Sequence, residues 1–156
     1  MKETNNVAWK TKVTPRFGDL DGLRHINNCN LPIWFEGARE PLFRLFHPKL
    51  DLNEEWRLIM AKISVDFVSQ LRLGADIEIL TYVKKIGRSS MTVYQEAWQD
   101  GSLGAKGEAI IVHYDFANQK SLPIPDSIRR ELEKHMVDED NPNLRTRSGR
   151  FPGVGK

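Results

Sequence analysis

The chain has 156 residues, 40% of them hydrophobic and 28% charged, and a formal net charge of +2 at pH 7, which is typical of one globular domain. The small net charge, with no stripe of Lys and Arg, argues against nucleic-acid binding, and a single cysteine excludes an internal disulfide and a cysteine-based zinc site. The N-terminus lacks the apolar core of a signal peptide and no apolar run reaches membrane-spanning length, so we expect a cytoplasmic protein that does not contact a membrane.

The first predicted element is a short, half-buried strand. Apolar and polar side chains alternate, and the apolar side carries Trp9, Thr11, Val13 and Phe17. Pro15 has no N–H to donate to a neighbouring strand, so we expect this strand to lie at a sheet edge or to end in a bulge there. Residues 1–7 are polar and are predicted to fray.

A long amphipathic helix is predicted next, because apolar residues recur at spacings of three and four. The apolar face carries Leu31, Trp34, Phe35, Ala38, Leu42, Leu45 and Phe46. Asn28 or Asn30 is suited to cap this helix. Pro41 removes the hydrogen bond to the carbonyl of Gly37 and therefore predicts a kink. So wide an apolar face requires a sheet that wraps around the helix.

Four strands with alternating apolar residues follow in close order. They are predicted at residues 59–68, 77–83, 91–98 and 103–114. On the first of them, one face is predicted to carry Ile59, Ala61, Ile63, Val65 and Phe67. The connections favour hairpins, with a turn at Leu73-Gly74 and a strong two-residue signal at Asp100-Gly101. Successive hairpins predict an antiparallel meander.

The end of the chain predicts a short C-terminal helix at residues 125–136, with Ile128 and Leu132 on one side, followed by a polar segment. The predicted fold is therefore α+β, with a curved antiparallel sheet of about five strands around one long central helix. We expect a single domain at residues 1–137 and a flexible polar tail at residues 138–156. A sheet that curls around a single helix leaves that helix open on one side, which favours a second subunit.

The candidate active site is the polar turn between the first strand and the central helix. It holds Asp19, Asp21, His25, Asn27 and Asn28. A helix start offers unpaired N–H groups and the positive end of the helix dipole, which suit an anion or a polarised carbonyl. A carboxylate beside that carbonyl can act as a nucleophile or as a general base. The turn is therefore predicted to be an active site.

The sequence D-L-D-G-L-R-H-I-N-N, followed by W-F-E-G-A-R, resembles the D-x-D-x-x-G-H-x-N-N…F-E-x-A-R signature of hotdog-fold acyl thioesterases. This is the family of 4-hydroxybenzoyl-CoA thioesterase and the acyl-carrier-protein thioesterases. The likeness continues with V-D-F-V at residues 65–68, I-G-R-S-S at residues 86–90 and A-K-G at residues 105–107. It implies the hotdog fold and hydrolysis of an acyl thioester. It also implies no metal and no separate cofactor, since coenzyme A or phosphopantetheine is part of the substrate.

The resemblance further implies roles for individual residues. Asp21 matches the catalytic carboxylate, and Asn28 matches the helix-start position whose backbone N–H polarises the thioester carbonyl. His25 matches a polar position that some relatives use. Arg24 stands where glycine is usual, and we expect it to adopt an ordinary backbone conformation and to place a cation beside the site. Leu31 stands where an aromatic residue is common and is expected to reshape the acyl pocket.

Simpler structural interpretations stay open for several of these residues. The Asp21 carboxylate can instead hold an Asx-turn, and His25 can either position water or hydrogen-bond the loop. Asp19 is expected to stabilise the turn, and Glu36 to form a salt bridge with Arg39 or a neighbouring residue. Structural roles are also assigned to Cys29 (as a small buried residue), His47 and His113.

Charged and hydroxyl side chains gather at one predicted hairpin. They are Lys84, Lys85, Arg88, Ser89 and Ser90. A solvated turn explains such residues. A second interpretation is a rim that contacts the phosphates and the pantetheine arm of coenzyme A or of a carrier protein, with Arg88 best suited to phosphate. The family pattern favours the rim.

Three functions are compatible with the site. The leading hypothesis is hydrolysis of an acyl-CoA or acyl-carrier-protein thioester by a homodimer or homotetramer whose pocket lies at the subunit interface. A hotdog hydratase or dehydratase also pairs Asp with His, but those enzymes typically place Asn where this chain has Leu23. A non-catalytic acyl-thioester sensor should carry a second domain, and the presence of Asp21 argues against it.

Overall fold

The computed structural model describes residues 8–137, so the segments predicted to fray (1–7) and to form a polar tail (138–156) lie outside the described residues. In chain order the elements are β1 (Trp9–Val13), a 3₁₀ turn (Phe17–Asp19), α1 (Asn30–Ala38), α2 (Glu40–Phe46), β2 (Leu58–Phe67), β3 (Ile77–Ile86), β4 (Ser90–Gln99), β5 (Ser102–Asp115), β6 (Lys120–Ser121) and α3 (Asp126–Glu133). The predicted α+β class is confirmed. No helix within the described residues is long and apolar enough to cross a lipid bilayer.

The strands form one antiparallel sheet that curls around α1. The strand order is β1-β3-β4-β5-β2, with β6 paired to β5. β3, β4 and β5 form the predicted meander, and Asp100 and Gly101 both adopt positive φ (51° and 77°), which a two-residue hairpin favours. The predicted place of β2 within the meander is wrong, because β2 pairs with β5 and not with β3. The connection after β2 is too long for a tight hairpin, and Gln99 at the end of β4 holds it through hydrogen bonds with Arg72 and Ala75.

β1 lies at an edge of the sheet and pairs with β3, as Pro15 predicts. It ends at Val13, however, and the prediction that Phe17 lies on its apolar side is wrong. Phe17 lies in the 3₁₀ turn and is 82% exposed. The physical reason is local, since the carboxylate of Asp19 accepts the backbone N–H of Arg16 (2.7 Å) and bends the chain away from the strand direction.

The predicted central helix is interrupted at Arg39 and forms two helices, α1 and α2. Pro41 lies in the first turn of α2, where its missing N–H has no helical partner, so the predicted kink is a complete break. The C-terminal helix is confirmed. It begins after Pro125 and ends at Glu133, three residues earlier than predicted.

α1 packs directly on the sheet above a glycine. A Cβ added to Gly107 of β5 would lie 2.9 Å from the ring of Phe35 and 3.0 Å from the carbonyl oxygen of Ser64. Phe35 is 2% exposed, and burial of its ring stabilises the fold by about 1.5–3 kcal/mol. The absence of a side chain at position 107 therefore sets how closely α1 approaches the sheet.

β2 carries a bulge between Met60 and Lys62. Beyond the bulge, Ile63 pairs with Ala109, a buried residue of the core. Ile59 lies before the bulge and pairs three positions further along β5, so it lies on the opposite face from Ile63. The prediction of one continuous apolar face for this strand is therefore wrong.

Candidate active site

A cavity of about 500 Å³ opens beside the polar turn, between that turn, the segment after β2 and the start of β5. It is lined by Asp21, Ile26, Asn28, Leu31, Phe67, Val68, Ser69, Gln70, Leu71 and Gly104. Two of the predicted site residues, Asp21 and Asn28, therefore lie on one cavity. Its far wall exists because β2 pairs with β5, which places Phe67 opposite Ala105.

The Asp21 carboxylate makes a turn with one of its two oxygens. Oδ1 accepts the backbone N–H groups of Leu23 (2.8 Å) and His25 (3.1 Å), while the Asp21 N–H donates to the His25 carbonyl (2.8 Å). Within residues 8–137, no hydrogen bond is made to Oδ2. The Asx-turn interpretation of Asp21 is thus correct for Oδ1, and it leaves Oδ2 for chemistry.

The backbone around Asn28 leaves one N–H group without a hydrogen-bond partner in the described part of the chain. Asn27 donates to the Asp19 carbonyl (2.8 Å), and the Cys29 N–H donates to Oδ1 of Asn27 (3.0 Å), whereas the Asn28 N–H makes no such bond. The predicted cap is wrong, because Cys29 and not Asn28 or Asn30 occupies the N-cap of α1. The free N–H of Asn28 therefore lies at the positive end of α1, where it is suited to a developing oxyanion.

Asp19 supports the turn from the interior, as expected. Asp19 is 5% exposed and its carboxylate accepts the N–H of Arg16, while its backbone oxygen accepts the N–H of Asn27 (2.8 Å) and the side-chain amide of Asn30 (2.9 Å). These bonds join the turn to the first residue of α1. They fix where the helix begins relative to the turn.

Two further predicted residues, Arg24 and His25, lie in the turn but not among the residues that line the cavity. His25 contacts Asp21 through its backbone. Arg24 adopts a φ of +64°, so the expectation of an ordinary backbone conformation is wrong. Its N–H donates to the Asp21 carbonyl (3.0 Å), and this tight turn requires the left-handed conformation that glycine adopts most readily.

Two structural expectations near α1 are also wrong. Cys29 is exposed and not buried, because it precedes the apolar face of the helix. Glu36 forms no salt bridge within residues 8–137. Burial lowers the pKa of the Arg39 guanidinium, and the charge of Glu36 acts on it only from a distance, in the opposite direction.

Comparison with known proteins identifies the family. The model of the thioesterase-like superfamily matches residues 15–132. This chain belongs to the thioesterase-like superfamily. A predicted thioesterase from Bacillus stearothermophilus shares 38% identity, with a TM-score of 0.80 over 84% of this chain and 98% of that one. A thioesterase from Thermus thermophilus, in complex with coenzyme A and Zn, is 29% identical, with a TM-score of 0.69 over 79% of this chain and 95% of that one.

A relative is also found in Bacillus subtilis (strain 168), the uncharacterized protein YsmA. It is 27% identical over 92 residues, which are 55% of this chain and 62% of YsmA. The aligned part of the thioesterase-like chain thus spans less than two thirds of the length of that relative. Together with the strand order, the matches confirm the hotdog thioesterase resemblance at the level of family and fold.

The predicted coenzyme A rim of this thioesterase-like chain lies far from the cavity of the same subunit. The rim comprises Lys84, Lys85, Arg88, Ser89 and Ser90, at and beside the β3–β4 turn. Ser90 pairs with Val112 of β5, whereas the cavity reaches Gly104, eight positions away. At about 3.3 Å per residue, the separation is roughly 26 Å. One protomer does not bring the rim and Asp21 together.

The two interior histidines have structural partners in the thioesterase-like fold. Nε2 of His47 accepts the N–H of Arg57 (3.1 Å), and the ring stacks on Trp56 with centroids 4.4 Å apart. Nδ1 of His113 lies 3.0 Å from the Pro123 carbonyl oxygen. Within residues 8–137, no group of three or more His, Cys, Asp or Glu side chains is arranged to hold a metal ion.

The sequence interpretation missed the far wall of the cavity, which is formed by Ser69, Gln70, Leu71 and Gly104. One signal was available, because Gly104 lies within a predicted strand. A glycine in the interior of a strand marks a close approach of another part of the chain.

Proposed function

We propose that this chain hydrolyses an acyl thioester of coenzyme A, or of the phosphopantetheine arm of an acyl carrier protein, to the free acid and the thiol. The observation that carries the proposal is that Asp21, with its Oδ2 available, and Asn28, with its unpaired N–H, line the same cavity. Family membership supports the reaction class. The coenzyme A in the Thermus thermophilus complex supports a coenzyme A thioester as the substrate.

The reaction follows from these two groups. The thioester carbonyl oxygen accepts the N–H of Asn28, which stabilises the developing negative charge by about 3 kcal/mol. Asp21 either attacks the carbonyl carbon, forming a mixed anhydride that water then cleaves, or deprotonates a water that attacks in its place. In both routes the carbon–sulfur bond breaks, water supplies the hydroxyl of the acid, and the remaining proton is available to the thiolate. With a thiol pKa near ~8.5, the thiolate leaves without a general acid.

The lining of the cavity supports an apolar acyl group. The apolar side chains on its walls are Ile26, Leu31, Phe67, Val68 and Leu71. A charged acyl group would lose its hydration there without gaining an opposite charge. Leu31 lies on the wall, as expected for a residue that shapes the acyl pocket.

We extend the proposal to a homodimer, or a homotetramer built from such dimers, in which two copies pair through β2. β2 is an edge strand of ten residues, and Met60 and Ile63 on it are 39% and 49% exposed. A long edge strand with exposed apolar side chains is a template for a second strand. Ile33 of α1 is 64% exposed, and a partner subunit would cover the open side of that helix.

Such a dimer would bring the rim of one protomer close to the cavity of the other, although the two lie far apart within one protomer. The start of β2 (Leu58, opposite His113) lies at the rim end of the sheet, and its end (Phe67, opposite Ala105) lies at the cavity. Antiparallel pairing of two β2 strands sets the start of one beside the end of the other. The rim of one protomer then lies beside the cavity of its partner, where Arg88 would bind the phosphates of coenzyme A.

The test is free-thiol release from a panel of acyl-CoA and acyl-carrier-protein thioesters, with wild type and Asp21→Asn. The asparagine keeps the Oδ1 that accepts the N–H groups of Leu23 and His25, so the turn should be retained while the carboxylate is lost. We expect turnover to fall at least a hundredfold. Asp51→Asn is the matched control, because Asp51 also makes a turn through Oδ1, to the N–H of Asn53 (2.9 Å), on an exposed loop outside the cavity lining.

Equal turnover of wild type and Asp21→Asn would remove Asp21 from its catalytic role. Absence of thiol release from every thioester would overturn the proposed function. The cytoplasmic location stays a prediction from the sequence.

A further inference from the structure

One side chain, Leu71, occupies the space above Gly104 on the cavity wall. Leu71 is 4% exposed, and both residues line the cavity. A Cβ built on Gly104 would lie 2.3 Å from Cδ2 of Leu71 and 2.6 Å from its Cγ. These distances are far below van der Waals contact, so a larger residue at position 104 is incompatible with the present position of Leu71. The glycine provides the room that the leucine fills.

Leu71 also belongs to a part of the core that contains small side chains. It belongs to the buried cluster that includes Ala97 and Ala105. Ala97 and Ala105 are fully buried and pair with each other across β4 and β5. Because these two side chains are short, we expect that truncation of the isobutyl group of Leu71 leaves space beside them that no neighbouring side chain fills.

The backbone of Leu71 is tied to the turn that carries Asp21. Its carbonyl oxygen accepts the N–H of Ile26 (2.9 Å), which lies between Asp21 and Asn28 in the chain. This bond uses only main-chain atoms and does not depend on the side chain at position 71. The wall at Leu71 is therefore held at a fixed place relative to the two groups proposed to act on the thioester.

We infer that Leu71 and Gly104 together set the length of the apolar acyl group, with the distal end of that group stopping against the Leu71 side chain. The inference rests on the proposed thioesterase function and assigns its acyl-length determinant. Asp21 and Asn28 fix the position of the thioester carbonyl. The position of Leu71 then fixes how many methylene groups of the acyl chain fit between that carbonyl and the Leu71 side chain.

Two single substitutions should change the longest acyl chain that the cavity accepts, in opposite directions. Leu71→Ala removes the end wall and leaves space above Gly104, so longer acyl groups should be accepted. Gly104→Ala places a Cβ against Leu71 and displaces its flexible end into the cavity, so shorter groups should be preferred. In the double variant the new Cβ occupies part of the space vacated by the leucine, and the preferred length should return toward that of wild type.

The experiment measures kcat/KM for a series of straight-chain acyl-CoA esters of increasing length, with all four proteins. For Leu71→Ala we expect a rise of roughly tenfold or more for chains longer than the wild-type optimum, because each added methylene group gains a buried position. For Gly104→Ala we expect a comparable fall at the wild-type optimum. The affinities of S-alkyl-CoA thioethers, measured by calorimetry, should shift in the same directions without any reaction.

Leu132→Ala is the matched control, since Leu132 is fully buried in the other core cluster and does not line the cavity. It should lose comparable stability and keep the wild-type length preference. A wild type that releases thiol, with variants whose length preference is unchanged, would overturn the inference and leave the proposed function standing. Failure of every protein to bind any thioether would overturn the inference, and absence of thiol release is the separate result that overturns the function.

Discussion

Arg39 donates a hydrogen bond from Nη1 to Oε1 of Gln95 over 3.0 Å in the interior of the fold, where the two residues are 4% and 0% exposed. Gln95 in turn donates from Nε2 to the Phe35 carbonyl (2.8 Å) and to Oγ1 of Thr81 (3.1 Å), and Thr81 donates to the Ala38 carbonyl (3.4 Å). The break between α1 and α2 is thus tied to the middle of the sheet by a polar network. The sequence motifs do not indicate such a network.

The guanidinium of Arg39 is buried without a carboxylate at salt-bridge distance in the described part of the chain. Its Nε has no hydrogen-bond partner there. Arg39 is both the C-cap of α1 and the N-cap of α2, so the dipoles of the two helices act on it in opposite directions. The side-chain oxygen of Gln95 is therefore the neutral group that accepts a hydrogen bond from the buried Arg39 cation.

We predict that Gln95→Leu lowers the free energy of unfolding by about 3–5 kcal/mol, because it leaves the Arg39 cation and the Phe35 carbonyl without their partner. Arg39→Met in the same chain should recover part of this loss, giving a coupling energy of at least about 1 kcal/mol. Urea denaturation of wild type, the two single variants and the double variant measures this coupling energy. Simple addition of the two single effects would contradict the network.

The elements of the fold were largely predictable, because hydrophobic periodicity is a local property. The alternation of apolar residues placed β3, β4 and β5, and Pro15 placed β1 at an edge. The partner of β2 was not predictable in the same way, since alternation does not encode which strand lies alongside. The bulge after Met60 was missed for a related reason, because the extra residue is visible only against the pairing of Ile63 with Ala109.

The sequence predicted the side of the candidate site that the polar turn forms, but it did not predict the opposite wall of the cavity. Asp21 and Asn28 lie within eight residues of sequence, so one motif indicates both. Leu71 and Gly104 come from segments that meet only through the pairing of β2 with β5. Gln95 could have been noticed, because it alternates with Met91, Val93 and Ala97 and so lies on the buried side of its strand.

We predict that Arg24→Gly raises the free energy of unfolding by about 0.5–1 kcal/mol. The φ of +64° at this position is unfavourable for any residue with a Cβ, and the relief exceeds the greater chain entropy of glycine in the unfolded state. Arg24→Ala removes the same cation but keeps the Cβ, so it should bring no comparable gain. Thermal denaturation of the two variants separates the backbone effect from the charge effect. Equal stability of the two variants would contradict the attribution of the gain to the positive φ.

His47 is held neutral by its surroundings. It is 4% exposed, and burial lowers its pKa; the charge of Glu54 opposes this effect, while Arg57 and His113 add to it. Nε2 accepts the Arg57 N–H, which a protonated ring cannot do. The unfolded chain therefore binds a proton at His47 more readily than the folded chain.

The resulting pH dependence has a definite sign. Because the folded pKa is the lower of the two, the contribution of His47 to stability is fully present above the unfolded value near ~6.5. It should be lost as the pH falls below that value toward the folded pKa, by at most about 1.4 kcal/mol per pH unit. His47→Gln keeps a side-chain acceptor without titrating, so its urea midpoint should vary less over this range. An equally steep dependence in the variant would assign the effect to other groups.

The proposed position of the rim predicts complementation between two inactive or weakened proteins. Arg88→Ala alone should raise KM for coenzyme A esters more than it lowers kcat, since phosphate contacts act on the ground state as well as the transition state. In a hybrid dimer of one Asp21→Asn subunit and one Arg88→Ala subunit, one site combines both substitutions and the other combines neither. Purified hybrids should therefore show a KM near that of wild type and about half its kcat.

A hybrid that keeps the high KM of Arg88→Ala would mean that Arg88 does not act across the β2 interface. A hybrid of Asp21→Asn with Arg44→Ala, whose arginine is paired with Glu40 on α2, controls for the loss of a surface cation.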